Sequence, residues 1–326
     1  TQPCSSAASD VYKRQGWHVG VVIPAKNEED FISKVITTLP NFVDRIVVVD
    51  DGSSDMTAQI VNKHSTELKN LEMVQLPGNG VGSAIDAGHQ AMLKSLSEPF
   101  VSVVMAGDGQ MDPDDLELLI EPVTKNQADY VKGNRFLHQD GLGNMPLVRK
   151  IASMILGFFT TLAAGRHVTD PQCGYTATSS LILRHWNWSK SWKGYGYPNY
   201  WLIELSRRSM RVVEVPVKSI YGKEKSGIIM AKFFLSVGLM MFIMHHKRCF
   251  SMLFSKSVAP HTILSFIAYI LGWITIIPGV STDLENELTS GFASKLILLV
   301  FCWVCAHILD RLAVESRTEL RVNAQT

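Results

Sequence analysis

Carboxylates, amides and glycines collect at three points in this sequence, each just after a short apolar run. Pro24-Ala25-Lys26-Asn27-Glu28-Glu29 follows His18–Ile23, Asp50-Asp51-Gly52-Ser53-Ser54-Asp55 follows Ile46–Val49, and Gly107-Asp108-Gly109-Gln110-Met111-Asp112 follows Phe100–Met105. Carboxylates accept hydrogen bonds, and glycine lets a backbone approach a ligand closely. Basic residues follow: Arg135, Arg149, Lys223 and Lys225. The planar fork of arginine meets phosphate oxygens bidentately. Plainer readings stand beside these. Asp51-Gly52-Ser53-Ser54 also makes a turn with a helix cap, Asp112 an N-cap, Asp170-Pro171 a turn start, and Lys223 one half of a surface ion pair.

The apolar runs at His18–Pro24, Arg45–Asp50, Leu71–Leu76 and Phe100–Met105 predict buried strands, and Asp129–Lys132 a short fifth. Helical spacing predicts helices over 28–39, 56–68 and 82–96. Asp112-Pro113-Asp114-Asp115 opens another with a cap, a proline and two acids that suit the helix dipole. Strand alternating with helix predicts an α/β fold with a mostly parallel sheet flanked by helices. Ligands of such sheets bind beyond the carboxyl ends of the strands, where the three clusters fall. A dinucleotide site would need G-x-G-x-x-G after the first strand, where Lys26-Asn27-Glu28-Glu29 stands instead. A Walker A loop is also missing.

Val22–Glu29, Val48–Thr57, Gly80-Val81-Gly82-Ser83-Ala84 and Gly107–Gln110 resemble, in order, the signature of glycosyltransferase family 2, whose members have the GT-A fold. Lys132-Gly133-Asn134-Arg135-Phe136, Asp170–Tyr175 and Tyr221–Ser226 are similar to the dolichol-phosphate mannosyltransferase or polyprenyl-phosphate branch. The resemblance covers roughly Val19 to Ser226. It implies that Pro24, Ala25, Asn27, Glu28, Asp50, Asp51, Gly80 and Asp108 hold the nucleotide. It also implies that Arg135, Arg149 and Lys225 act with Asp108 on the phosphates of donor and acceptor. Asp108 matches the second acid of the family's D-x-D metal motif, and Ala106 replaces the first. A Mg2+ or Mn2+ ion then falls to Asp108 with Gln110 or Asp112. The implied donor is a UDP- or GDP-hexose and the implied acceptor a polyprenyl phosphate. A phosphate monoester is largely dianionic at neutral pH and needs no general base. A hydroxyl acceptor would need one, and Asp170 is then the base. A silent scaffold that keeps the fold is the reading from another class, motivated by Ala106.

The +1 net charge gives no bulk reason to expect nucleic-acid binding. The five cysteines suggest no disulfide framework, and Cys302-x-x-Cys305 lies in an apolar run without a second pair. Five of the histidines, His18, His64, His89, His138 and His167, lack metal-ligand spacing. Trp186, Trp188 and Trp192 are read as packing residues, with a membrane-interface place as the other reading. The sequence divides into a polar tail over 1–15, read as disordered or an artefact, and a catalytic domain over 16–227. An interfacial helix over 228–250, a two-helix transmembrane hairpin over 257–312 and a tail over 313–326 follow. The hairpin rests on the apolar runs at Ile263–Ile277 and Phe292–Leu309. Lys247, Arg248, Lys256, Arg311, Arg317 and Arg321 flank it, and Asp283, Glu285 and Glu287 lie between its arms. The positive-inside rule then puts the catalytic domain on the cytoplasmic face.

Overall fold

A computed structural model of the chain describes residues 16–139, 145–220, 230–255, 258–277 and 292–324. The tail over 1–15, Lys223, Lys225, Lys256 and the acidic residues Asp283, Glu285 and Glu287 lie outside the described residues. The strands are β1 (His18–Ala25), β2 (Arg45–Asp50), β3 (Leu71–Gln75), β4 (Phe100–Val104), β5 (Tyr130–Asn134), β6 (Thr176–Ser179) and β7 (Val212–Pro216). They form one seven-stranded sheet in the order β3-β2-β1-β4-β6-β5-β7. Every pairing is parallel except those of β6, which runs antiparallel to both β4 and β5. The expected mostly parallel sheet is therefore present, uniformly parallel over β3-β2-β1-β4 and interrupted beyond it by β6 alone. Thr176-Ala177-Thr178-Ser179 is neither an apolar run nor an alternation, so periodicity gives no sign of β6 although all four residues are buried.

The helices between the strands are α1 (Ile32–Thr37), α2 (Thr57–Glu67), α3 (Val81–Ser95), α4 (Leu116–Thr124), α5 (Leu147–Ala164), α6 (Ser180–Arg184) and α7 (Tyr197–Arg207). The first is six residues long, shorter than the expected 28–39, because the stretch before it is bound to the loop after β2. Valine and isoleucine fill the core strands, and Val21, Ile23, Val48 and Val103 are fully buried. The helix α3 lies so close to β1 that an alanine Cβ at Gly88 would sit 2.2 Å from Val22 Cγ1.

The chain divides into two compact units. The first runs to Phe158 and takes in Thr169–Trp201 and Met210–Gly238; the second holds Phe159–Val168, Leu202–Ser209 and the residues from Leu239 on. Beyond β7 come α8 (Met230–Leu253), α9 (Pro260–Ile274) and α10 (Phe292–Asn323), with α9 packed on α10. The last helix continues through the expected tail to Asn323. At ~1.5 Å per residue it is longer than the ~30 Å core of a bilayer. By length and composition Leu147–Ala164 and Ser294–Asn323 could cross a membrane, and Pro260–Ile274 is a shorter apolar helix.

Within the second unit Arg248 is fully buried and pairs with Asp310, Nη1 to Oδ1 at 2.9 Å and Nη2 to Oδ2 at 2.6 Å. Its Nε donates to the Ala163 carbonyl at 2.9 Å. Arg248 therefore adds no surface charge to the basic flank that the sequence assigns it to.

Gly88→Ala should lower stability by ~1–3 kcal/mol, although alanine is the better helix former. Denaturant unfolding of the detergent-solubilised chain measures it, and an unchanged midpoint would contradict the packing described. Asp310→Ala should lower the melting temperature by ~10 °C, since it strands a buried guanidinium. The Arg248→Met/Asp310→Leu double variant should recover most of that loss.

Candidate functional site

The loops after β1, β2 and β3 are knitted into one wall by side chains that bond backbone. Ser53 Oγ accepts from Asn27 N at 2.9 Å, and Thr57 Oγ1 accepts from Glu28 N at 2.8 Å. Asn27 Oδ1 accepts from Ser54 N at 2.8 Å, with Asn27 in the left-handed region at φ 57°. Asp55 bridges Glu29 N and Thr57 N at 3.2 and 3.0 Å, and Glu29 returns a bond to Met56 N at 2.9 Å. Asp51 is buried and takes Asn79 N at 2.7 Å and Gly80 N at 2.9 Å. Asp50, also buried, takes Ser53 N at 3.1 Å. The expected nucleotide residues Ala25, Asn27, Glu28, Asp50, Asp51 and Gly80 are thus brought to one edge of the sheet. Pro24 stands beside them, its carbonyl accepting from Gly107 N at 3.1 Å.

Gly52 and Gly80 also allow close approach within the protein. A Cβ at Gly52 would lie 3.0 Å from Gly78 N, and one at Gly80 would lie 2.7 Å from the Lys193 carbonyl oxygen. The close neighbour is the protein's own backbone.

On the other side of β4, Asp108 is half-buried with Oδ1 accepting from Gln110 N at 3.0 Å. Gln110 O accepts from Ile220 N at 2.9 Å, and Met111 bridges to Ser219. Tyr175 donates to the Asp112 carbonyl at 3.1 Å, and Asp112 caps the turn over Pro113–Asp115 by accepting from Asp114 N. The capping reading of Asp112 is the one its geometry supports.

The motifs at Lys132–Phe136 and Asp170–Tyr175 interlock. Buried Lys132 donates to the Cys173 carbonyl, and Asn134 Nδ2 donates to Thr169 Oγ1 and, at 2.7 Å, to Glu214 Oε2. Asp170 is fully buried and holds Arg135 at three points: N at 3.0 Å, Nε at 2.7 Å and Nη2 at 2.8 Å. Burial alone would raise the Asp170 carboxyl, but the bonds and charge of Arg135 hold it below the ordinary 3.8. A carboxylate with a depressed pKa and no exposed surface is placed as a counter-ion rather than as an open base, which corrects the expectation for Asp170. Arg135 accordingly reaches the site with its charge already offset. Arg149, near the start of α5, is exposed.

For a divalent ion, this chain offers Asp108 and the neighbouring Gln110, with Ala106 contributing no ligand atom. One carboxylate plus substrate phosphates suffices for Mg2+ or Mn2+, so the residues fit an ion completed by the donor. Among the described residues a single His/Cys/Asp trio has ligand atoms within 4.8 Å of one another: His245, Cys249 and Asp310. Its carboxylate is already held by Arg248 on both oxygens. Sequence reasoning passed over Asp86, which is buried on the same face of α3 as Gly82, Ile85 and His89. The signal was present: an acid at a core position of the helical period.

Arg135→Ala should destabilise the chain by ~3–5 kcal/mol, because Asp170 is left charged and buried without its partner. The Asp170 contribution is complete above pH 3.8, the unfolded value, and is lost as pH falls through the lower folded value. Wild type should therefore lose stability more steeply than Asp170→Asn below about pH 4. Unfolding curves from pH 7 to 3 measure the difference, and parallel curves would sink the assignment.

The model of "Glycosyl transferase family 2" matches residues 20–186. A UDP-N-acetylglucosamine–dolichyl-phosphate N-acetylglucosaminyltransferase of Methanococcus voltae is 32% identical over 215 residues, covering 62% of this chain and 85% of its own. A dolichyl-phosphate beta-glucosyltransferase of Trichomonas vaginalis is 25% identical over 225 residues, 64% of this chain and 67% of its own. Glucosyl-3-phosphoglycerate synthase from Mycobacterium tuberculosis, solved with Mn2+, UDP and phosphoglyceric acid, is similar in fold. It has a TM-score of 0.56 at 19% identity, over 75% of this chain and 84% of that one. With the sheet order, the knitted strand-end wall and a family model across that same stretch, the chain is a glycosyltransferase of family 2 with the GT-A fold.

Proposed function

We propose that this enzyme transfers a hexose from a UDP- or GDP-sugar to a polyprenyl phosphate at the cytoplasmic face of a membrane. The observation that carries the reading is the surface of α5 in the first unit. Leu147, Val148, Ile151, Met154, Ile155 and Phe158 are exposed along one stripe, Val148 at 75% and Phe158 at 61%. A contiguous apolar face on a catalytic unit suits a lipid surface. Arg149 on the same helix supplies a cation for a lipid phosphate. The sequence reading gave the interfacial role to 228–250, and α8 also exposes Leu235, Leu239, Phe242 and Ile243. The two related enzymes named above are both described as acting on dolichyl phosphate.

In this reading a phosphate oxygen of the acceptor attacks the anomeric carbon. The new C–O bond forms as the bond to the nucleoside diphosphate breaks, with inversion. The dianionic acceptor carries no proton that must be removed, which agrees with an Asp170 engaged by Arg135. A divalent ion held by Asp108 and Gln110 would neutralise the departing diphosphate. Asp108 keeps its orientation through the Gln110 N–H. Arg149 and Lys225 hold the acceptor phosphate, so that the enzyme's work is positioning two anions and offsetting their repulsion. The hydroxyl-acceptor reading needs a free base that Asp170 does not provide.

Membrane extracts given labelled nucleotide-sugars test the reading. An acid-labile lipid-linked sugar is expected; an acid-stable glycolipid would point to a hydroxyl acceptor. Asp108→Asn should cut turnover by ~100-fold or more. A UDP or GDP thermal shift should identify the base, and the absence of both shifts would count against a nucleotide site. Ile151→Asp/Phe158→Asp should raise KM for a long-chain polyprenyl phosphate in vesicles, ~10-fold or more, while sparing a short soluble prenyl phosphate. Equal effects on both acceptors would remove α5 from the lipid contact.

A further inference from the structure

The segment Ser191–Gly196 lies as a strap across the first turn of α3. The Lys193 carbonyl accepts from Gly82 N at 2.9 Å and Ser83 N at 3.3 Å. A Cβ at Gly82 would meet the Trp192 carbonyl oxygen at 2.2 Å. Two N–H groups at this helix start, those of Gly82 and Ser83, are thus occupied by protein rather than open to a ligand.

One buried acid fastens the strap. Asp86 is 3% exposed and sits one turn into α3. Its Oδ2 receives Lys193 Nζ at 2.7 Å and its Oδ1 receives Ser191 Oγ at 3.0 Å. Lys193 Nζ also donates to the Trp188 carbonyl at 3.0 Å, and Trp192 Nε1 donates to the Tyr195 carbonyl at 2.7 Å. A carboxylate this deeply buried is costly without a cation, so the ion pair keeps the strap seated. The strap in turn confines Gly80, whose N–H is held by Asp51 at 2.9 Å. A continuous series of contacts runs from Asp86 through Lys193 and Gly80 to Asp51 at the donor edge.

We propose that Lys193 is a positioning residue for the nucleotide-sugar: by pairing with Asp86 it pins the strap that fixes the Gly78–Gly82 turn beside Asp51. The inference rests on the donor site lying at that edge. It concerns donor binding alone, because none of these contacts involves Arg149, the residue proposed for the acceptor phosphate.

The test uses the full chain in detergent, with UDP and GDP in the presence of Mn2+ as calorimetric probes. Lys193→Met should weaken the nucleotide that wild type binds by ~10-fold, the scale of one lost charge-assisted contact. Lys193→Arg should regain most of the affinity. Asp86→Asn, which keeps the side-chain shape, should lose as much as Lys193→Met. Gly82→Ala, which displaces the strap without touching the pair, should also weaken binding. In turnover, donor KM should rise while acceptor KM stays unchanged. Binding by Lys193→Met within twofold of wild type overturns the proposal, as does failure of the arginine to rescue or an equal rise in both KM values. If wild type itself binds neither nucleotide, the donor-site reading fails and the proposal falls with it.

Discussion

Backbone N–H groups that leave a sheet without a ladder partner must find an acceptor, and in this enzyme aspartate supplies it repeatedly. Asp50 takes Ser53 N, Asp51 takes Asn79 N and Gly80 N, Asp55 takes Glu29 N, Asp108 takes Gln110 N, and Asp170 takes Arg135 N. Each bond joins or tightens a loop at the carboxyl edge of the sheet. An orphaned N–H in these positions would cost about 1–3 kcal/mol. The constraint explains why the edge is acidic although its proposed ligand is a diphosphate. The carboxylates are in large part structural anions, already engaged by N–H dipoles.

This is also why the sequence disclosed position better than role. The strand-end rule located Pro24–Glu29, Asp50–Asp55 and Gly107–Asp112 correctly, because short apolar runs mark parallel strands whose ends open on one side. An aspartate that bonds a ligand and one that bonds Gly80 N look identical in a string of letters. Gly80 stands in the family motif, and its backbone also lies against the Lys193 carbonyl, a contact the sequence does not name. The strand β6 escaped notice because Thr and Ser carry no periodic apolar signal, and its neighbours rather than its side chains bury it. Asp86 was legible in principle: helical phase puts it inward, and an inward acid requires a partner that the sequence does not name.

The same logic alters the reading of charge in the second unit. Counting Arg248 as a surface cation treats every arginine near an apolar run as a flank marker. Its guanidinium is instead consumed by Asp310 and the Ala163 carbonyl. Lys247 and Arg311 remain in that region for an orientation argument. The buried pair links α8 to α10 in a region where unpaired charge is least tolerable, so it constrains packing more than topology.

Taken together, the ion pairs bear on the chemistry. Asp170 is bound to Arg135, Asp86 to Lys193 and Asp310 to Arg248. Asp170, held below the ordinary carboxyl range by Arg135, is a poor proton acceptor, since protonation would forfeit the contacts that hold it. With Asp170 engaged by Arg135, the proposed site suits a nucleophile that arrives already ionised. A phosphate monoester is such a nucleophile, and an alcohol is not. The replacement of the first D-x-D acid by Ala106 fits the same balance. In the proposed reading, one carboxylate at Asp108 would leave the rest of an ion's coordination to the donor's own phosphates, so a tight site would exist only while the substrate to be cleaved is in place.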